Sequence, residues 1–72
     1  MKIITNNNNE VLVCFNGHLS EILATYKKTV KTWIVNGHSY SNEDFLYNIR
    51  YMLGGNVDWI VVKKFALSII GE

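Results

Sequence analysis

The chain has 72 residues, which is room for one domain covering 1–72 and excludes a two-domain arrangement. Hydrophobic residues make up 49% of it and charged residues 18%, and seven basic against six acidic side chains give a net charge of +1. This balance excludes a disordered polyelectrolyte and a nucleic-acid binder that depends on charge alone. The apolar fraction is a surplus, because a domain of this size buries only about 60% of the surface of its unfolded chain.

Composition also predicts the compartment and the origin. The single cysteine, Cys14, cannot form an internal disulfide, which is typical of a protein from a reducing cytoplasm. The most apolar stretch, 57–70, contains Lys63 and Lys64 and is shorter than the roughly 18–20 residues of a membrane span, and the first residues lack a signal-peptide pattern. We therefore expect a cytoplasmic protein without membrane contact. Nine asparagines, eight isoleucines and six lysines against one arginine are typical of low-GC bacteria and their phages. Together with the small size and the absence of catalytic motifs, this composition suggests a phage or mobile element.

In chain order, residues 2–5 and 10–15 have the composition of two short strands. The asparagines 6–9 between them favour a turn, because asparagine tolerates left-handed backbone conformations. After Asn16-Gly17, a helix is predicted over about 20–28, with Ser20 as its N-cap and two lysines in its last turn.

The middle of the chain has the clearest local signals. Residues 30–35 are rich in β-branched and aromatic side chains, and Asn36-Gly37 predicts a hairpin that returns through 38–40. Ser41 then predicts the N-cap of a second helix over about 42–53, which ends at Gly54-Gly55.

Residues 59–62 and 65–70 resemble strands. One straight strand over 57–70 would span roughly 46 Å at about 3.3 Å per residue, which exceeds the roughly 30 Å diameter of such a domain. Either the chain bends at Lys63-Lys64 to give six strands, or its last part pairs with a second copy in a homodimer. The second alternative buries Phe65, Leu67 and Ile69 as dimer contacts. The predicted fold is an α+β domain with an antiparallel sheet of five to six strands, two helices on one face and the order ββαββαβ.

The residues that could carry catalysis or bind a metal lack the required spacing. His18 and His38 belong to no zinc-binding pattern, and Cys14 is expected to be a buried structural thiol. Glu43 and Asp44 diverge by about 100° on a helix, so they are better explained as acids that favour its N-terminus. We expect no enzyme, no catalytic residues, no metal and no cofactor.

Nucleic-acid binding is the alternative function. It would use lysine patches with Phe15, Trp33 or Trp59 as stacking faces on the sheet, as single-strand binders do. The near-neutral charge and the single arginine, Arg50, make it the less favoured partner class. The lysines in question are Lys27, Lys28, Lys31, Lys63 and Lys64.

Protein binding is the favoured function because of the second predicted helix. Phe45, Leu46 and Ile49 form its apolar stripe, whereas Tyr47, Arg50 and Tyr51 fall on the opposite side as neighbours at spacings of three and four. Tyrosine and arginine are enriched at interface hot spots. The helix could also pack both faces within the domain, or simply expose these residues. We expect a noncatalytic module that binds and sterically blocks or recruits another protein through Tyr47, Arg50 and Tyr51.

Overall fold

The computed structural model describes residues 1–17, 20–54 and 57–71. It contains an antiparallel five-stranded sheet in which every strand pairs with the next one along the chain, followed by two helices. The elements are β1 (Lys2–Asn6), β2 (Glu10–Asn16), β3 (Glu21–Lys27), β4 (Thr32–Val35), β5 (His38–Ser41), α1 (Asn42–Met52) and α2 (Trp59–Ile70). The α+β class is confirmed. The predicted order ββαββαβ is wrong, because both helices follow the strands.

The asparagine-rich turn between β1 and β2 is confirmed. The side-chain oxygen of Asn7 accepts hydrogen bonds from the backbone N–H groups of Asn9, at 2.8 Å, and Glu10, at 2.9 Å. These bonds replace backbone partners that a tight turn leaves unpaired. Lys28 donates to the Asn6 side chain at 2.7 Å and fastens the same turn to the end of β3.

The helix predicted over 20–28 is wrong, because Glu21–Lys27 form strand β3. Ile22, Ala24 and Tyr26 alternate with more exposed residues and point to the same face of the sheet. Strand β3 pairs with β2 along its whole length, from Glu21 opposite Asn16 to Lys27 opposite Glu10. Tertiary pairing therefore outweighs the local helix signals.

The β4–β5 hairpin and helix α1 are confirmed. Asn36 and Gly37 both have positive φ, 50° and 79°, as a two-residue turn between twisted strands requires. The hydroxyl oxygen of Ser41 accepts a hydrogen bond from the Asp44 N–H at 3.1 Å, which caps α1. After the helix, Gly54 has a φ of 92°. Gly55, the other half of the predicted stop, lies outside the described residues.

The strands predicted over 59–62 and 65–70 are also wrong, because Trp59–Ile70 form helix α2. Asp58 caps it through one carboxylate oxygen, which accepts from the Ile60 N–H at 3.2 Å and the Val61 N–H at 3.4 Å. Twelve helical residues are about 18 Å long, so they fit a molecule that measures 32 × 20 × 19 Å. A helix thus solves the length problem that a single strand posed.

Both helices pack on one face of the sheet around a cluster of aromatic rings. The Trp33 ring stacks on Phe45 of α1 with centroids 4.1 Å apart, and the Phe15 ring meets Phe65 of α2 at 5.6 Å. The Trp33 indole N–H donates to the Asn42 side chain at 3.0 Å. We call this set the buried aromatic cluster: Phe15, Tyr26, Trp33, Phe45 and Phe65.

The residues expected to form a dimer contact have other positions. Ile69 is fully buried beside Val62 and Ala66, and Phe65 is half-buried against Phe15. Leu67 alone of the three predicted residues is exposed. The pairing strand on which that contact depended is a helix, so the homodimer stays a prediction without the interface proposed for it.

Candidate functional site

The face of α1 that points away from the sheet carries two large exposed rings. Tyr47 is 69% exposed and Tyr51 is 64% exposed, and their ring centroids lie 6.0 Å apart. One helical turn separates them, so they lie side by side along the helix. The alternative in which α1 packs both faces within the domain is therefore wrong.

Arg50 connects these tyrosines to the second helix. The guanidinium carbon of Arg50 lies 5.9 Å from the centroid of the Tyr51 ring and 5.8 Å from that of Trp59. A cation at such a distance is attracted to the face of an aromatic ring. This attraction restrains the long side chain of Arg50. We call Tyr47, Arg50, Tyr51 and Trp59 the surface aromatic patch.

Trp59 is the member that the sequence prediction missed as part of this site. It is the first residue of α2 and half-buried, and it was expected on a strand. The signal that could have found it is Asp58, a good N-cap residue, followed by buried positions at Val62, Ala66 and Ile69 with helical spacing. Recognising the helix would have placed Trp59 in its first turn.

The position of the patch depends on how α1 ends. Leu53 is fully buried, and its backbone lies against Gly17 at the end of β2. A side chain at Gly17 would overlap the Leu53 carbonyl oxygen, so glycine permits this close approach. The contact fixes the C-terminal end of α1 to the sheet, and the patch lies at that same end.

The outward side of α2, which begins next to Trp59, carries exposed aliphatic and lysine side chains instead of aromatic rings. Ile60 is 66% exposed and Leu67 is 44% exposed, and Lys63 and Lys64 are exposed between them. These positions lie three, four and seven residues apart, so they share one side of the helix. We call Ile60, Lys63, Lys64 and Leu67 the α2 outer face. The charged residues from 59 to 71 are these two lysines, so this face is cationic.

Among the residues that the structure describes, Arg50 has no carboxylate partner. Within the described parts of the chain, the one ion pair joins Lys27 and Glu10, on β3 and β2. The nearest acids along α1, Glu43 and Asp44, lie in its first turn, about 9–10.5 Å along the axis from Arg50. The guanidinium is thus held by two rings and remains available to an anion.

The other candidate residues do not come together. Cys14 is buried, and its thiol donates to a Glu21 carboxylate oxygen at 3.7 Å, while His38 is exposed at the start of β5. Across 1–17, 20–54 and 57–71, no three His, Cys, Asp or Glu side chains gather as a metal site would require. His18 lies outside the described residues.

A shallow pocket opens between the end of β2 and the start of α2. Its volume is about 260 Å³, and Met1, Asn16, Gly17, Val57, Asp58, Val61 and Val62 line it. The Asp58 carboxylate in its wall already caps α2. The rest of the lining is mainly apolar. The pocket thus brings no set of reactive groups together.

The sheet does not offer the stacking faces that nucleic-acid binding was expected to use. Phe15 and Trp33 are fully buried under the helices. On the opposite side of the sheet, Leu12, Thr25 and Ile34 lie in one row of paired positions. The expected stacking on sheet aromatics is wrong for these two residues, and Trp59 lies on α2 instead.

A scan against protein-family models and searches of curated proteins and of solved structures found no match to this chain. Within the described residues, neither helix has the length and apolar character that crossing a membrane requires. The function must therefore be inferred from the site itself.

Proposed function

We propose that this chain is a noncatalytic cytoplasmic module that binds another protein through the surface aromatic patch. The observation that carries the proposal is the pair of exposed rings, Tyr47 and Tyr51, restrained beside Arg50 and Trp59. Each aromatic side chain buries about 150–250 Å² when it is fully covered, and residues of these types dominate binding energies at interfaces. Its action is steric: the module covers part of its partner and blocks or recruits it.

The patch has the properties of an anchor that is organised before binding. Arg50 is restrained between two rings, so less side-chain freedom is lost when it meets a partner. We infer a phage or mobile element as the source, and with it a host protein as the partner, from the small size and the low-GC composition, which has six lysines to one arginine.

The test is capture from a lysate of a low-GC bacterium with immobilised protein. We expect one retained protein with the natural sequence and loss of that protein with Tyr47→Ala/Tyr51→Ala. The matched control is Leu23→Ala/Val30→Ala, which removes two apolar side chains of similar exposure, 56% and 66%, on β3 and in the β3–β4 turn. Equal retention by both double variants, or no retained protein, contradicts the proposal.

A homodimer is the nearest alternative partner. Light scattering coupled to size exclusion, at protein concentrations from about 1 µM to 1 mM, distinguishes a homodimer from a monomer that binds another protein. By mass action, the fraction of homodimer rises with concentration. If the mass stays that of a monomer at every concentration, the homodimer is excluded and the proposed partner is a different protein. A concentration-dependent mass that Tyr47→Ala/Tyr51→Ala abolishes would assign the surface aromatic patch to self-association.

A further inference from the structure

The charge around the surface aromatic patch indicates what kind of partner segment it takes. Arg50 has no carboxylate partner in the described parts of the chain, and the α2 outer face adds Lys63 and Lys64. The patch and this face meet at Trp59, whose ring Arg50 contacts and which lies one turn before Lys63. The patch and the α2 outer face thus carry three cations beside their apolar side chains. The one acid next to Trp59, Asp58, accepts hydrogen bonds from the Ile60 and Val61 N–H groups as the cap of α2.

We propose that the surface aromatic patch and the α2 outer face together bind an acidic amphipathic segment of the partner, in which carboxylates alternate with apolar side chains. This inference rests on the proposed function and adds the chemistry of the bound segment. Guanidinium groups bind carboxylates through two parallel hydrogen bonds, and a planar group held against rings is oriented for that geometry. Arg50 is the carboxylate receptor, and Ile60 and Leu67 receive the apolar side chains.

The opposite end of α1 orients the bound segment. Glu43 and Asp44 lie in its first turn, so the charge changes from negative at that end to positive at Arg50. A segment with carboxylates at one end docks in one direction, because the reverse direction places its acids against Glu43 and Asp44.

The same charges favour an acidic protein segment over a nucleic acid. A phosphate backbone carries negative charge along its whole length, so it would meet Glu43 and Asp44 as well as the cations. The exposed aliphatic side chains Ile60 and Leu67 suit apolar protein side chains, whereas single-strand binders present rings and cations to the bases.

The probes are two synthetic helical peptides of equal length and equal leucine and phenylalanine content. One carries glutamates between the apolar residues, and the other carries glutamines at the same positions. Binding is measured by fluorescence titration and by NMR shifts of the Arg50 Nε–H and Trp59 indole N–H signals. We expect the acidic peptide to bind about tenfold or more tightly than its amide counterpart, as a charge-assisted hydrogen bond implies.

Two variants assign the preference to Arg50. In Arg50→Gln the tenfold difference between the peptides should fall to about twofold or less, and Arg50→Glu should prefer a third peptide with lysines in place of glutamates. The matched control is Lys31→Gln, which also removes one positive charge. Lys31 lies in the β3–β4 turn, at the opposite end of the sheet from Gly17 and Leu53, and its variant should keep the full preference.

Each other outcome overturns the inference, and two of them separate it from the proposed function. If both peptides shift the Trp59 signal with equal affinity, the preference for an acidic segment is rejected, whereas protein binding by the patch is still supported. If a twelve-nucleotide oligothymidylate binds more tightly than the acidic peptide and loses affinity steeply as salt is added, the ligand is a nucleic acid and not an acidic protein segment. Failure of every peptide to shift the Arg50 and Trp59 signals, or a preference that Arg50→Gln does not change, rejects the acidic segment outright.

Discussion

Helix α1 separates two groups of aromatic side chains that are chemically alike. On one face, Phe45 stacks on Trp33 within the buried aromatic cluster, and on the other, Tyr47 and Tyr51 are exposed in the surface aromatic patch. The chain has nine aromatic residues, of which five lie in the cluster and three in the patch. The cluster holds the helices on the sheet. In the patch only Trp59 packs against the core, whereas Tyr47 and Tyr51 are exposed, so these two tyrosines should contribute little to stability.

The largest expected effect comes from neighbouring positions on α1. Phe45→Ala should lower the free energy of unfolding by about 3–5 kcal/mol, because it removes a ring from a closed core and leaves a cavity. Tyr47→Ala, two residues further on, should change it by less than about 0.5 kcal/mol. Urea unfolding followed by circular dichroism measures both. Similar losses at the two positions would contradict the separation of the two faces.

The contact that fixes α1 to the sheet should have the next largest effect. Gly17→Ala places a methyl group against the Leu53 carbonyl oxygen and should cost about 1–3 kcal/mol, because the backbones must move apart. The resonances of the surface aromatic patch should shift as well, since the end of α1 moves. A variant that keeps the native unfolding midpoint and the native Tyr51 signals would show that this close approach is not required.

The N-cap of α1 should contribute less. Ser41→Ala leaves the Asp44 N–H without its side-chain acceptor and should lower stability by about 1 kcal/mol. Ser39→Ala on the same strand is the matched control, because Ser39 is exposed and caps no helix. Equal unfolding midpoints for the two variants would exclude a capping role.

The smallest stability effect is expected within the patch itself. Arg50→Gln removes a cation from two rings and should cost about 0.5 kcal/mol at this exposed site. In NMR spectra the indole N–H signal of Trp59 should shift, while that of Trp33, hydrogen-bonded to Asn42 in the core, should stay. A shift at Trp33 instead would mean that the patch and the cluster are not independent.

Local signals were sufficient to predict some parts of the fold. Asn36-Gly37 fixed a hairpin and Ser41 a helix start because these residues act on their own backbone and on immediate neighbours. The face of α1 was predictable for the same reason, since the spacing of Phe45, Ile49 and the tyrosines defines two sides once a helix is assumed. The exposure of Tyr47 and Tyr51 agrees with that pattern.

Strand β3 and helix α2 were mispredicted because their sequences favour more than one structure. Residues 21–27 have apolar side chains at both helical and alternating positions, and pairing with β2 decides between them. Residues 59–70 are rich in valine and isoleucine, which favour strands, yet Val62, Ala66 and Ile69 pack as one side of a helix. Trp59 was missed as a site residue because its neighbours in space come from α1.

The connectivity of the sheet has a kinetic consequence. Each strand pairs with its immediate neighbour in the chain, so every pairing closes a short loop with a small entropic cost. The sequence contains no proline, so prolyl isomerisation cannot add a slow phase to refolding. Refolding should therefore follow one exponential on a timescale of about milliseconds to a second, with the docking of α2 onto Phe15 as the step that completes the core.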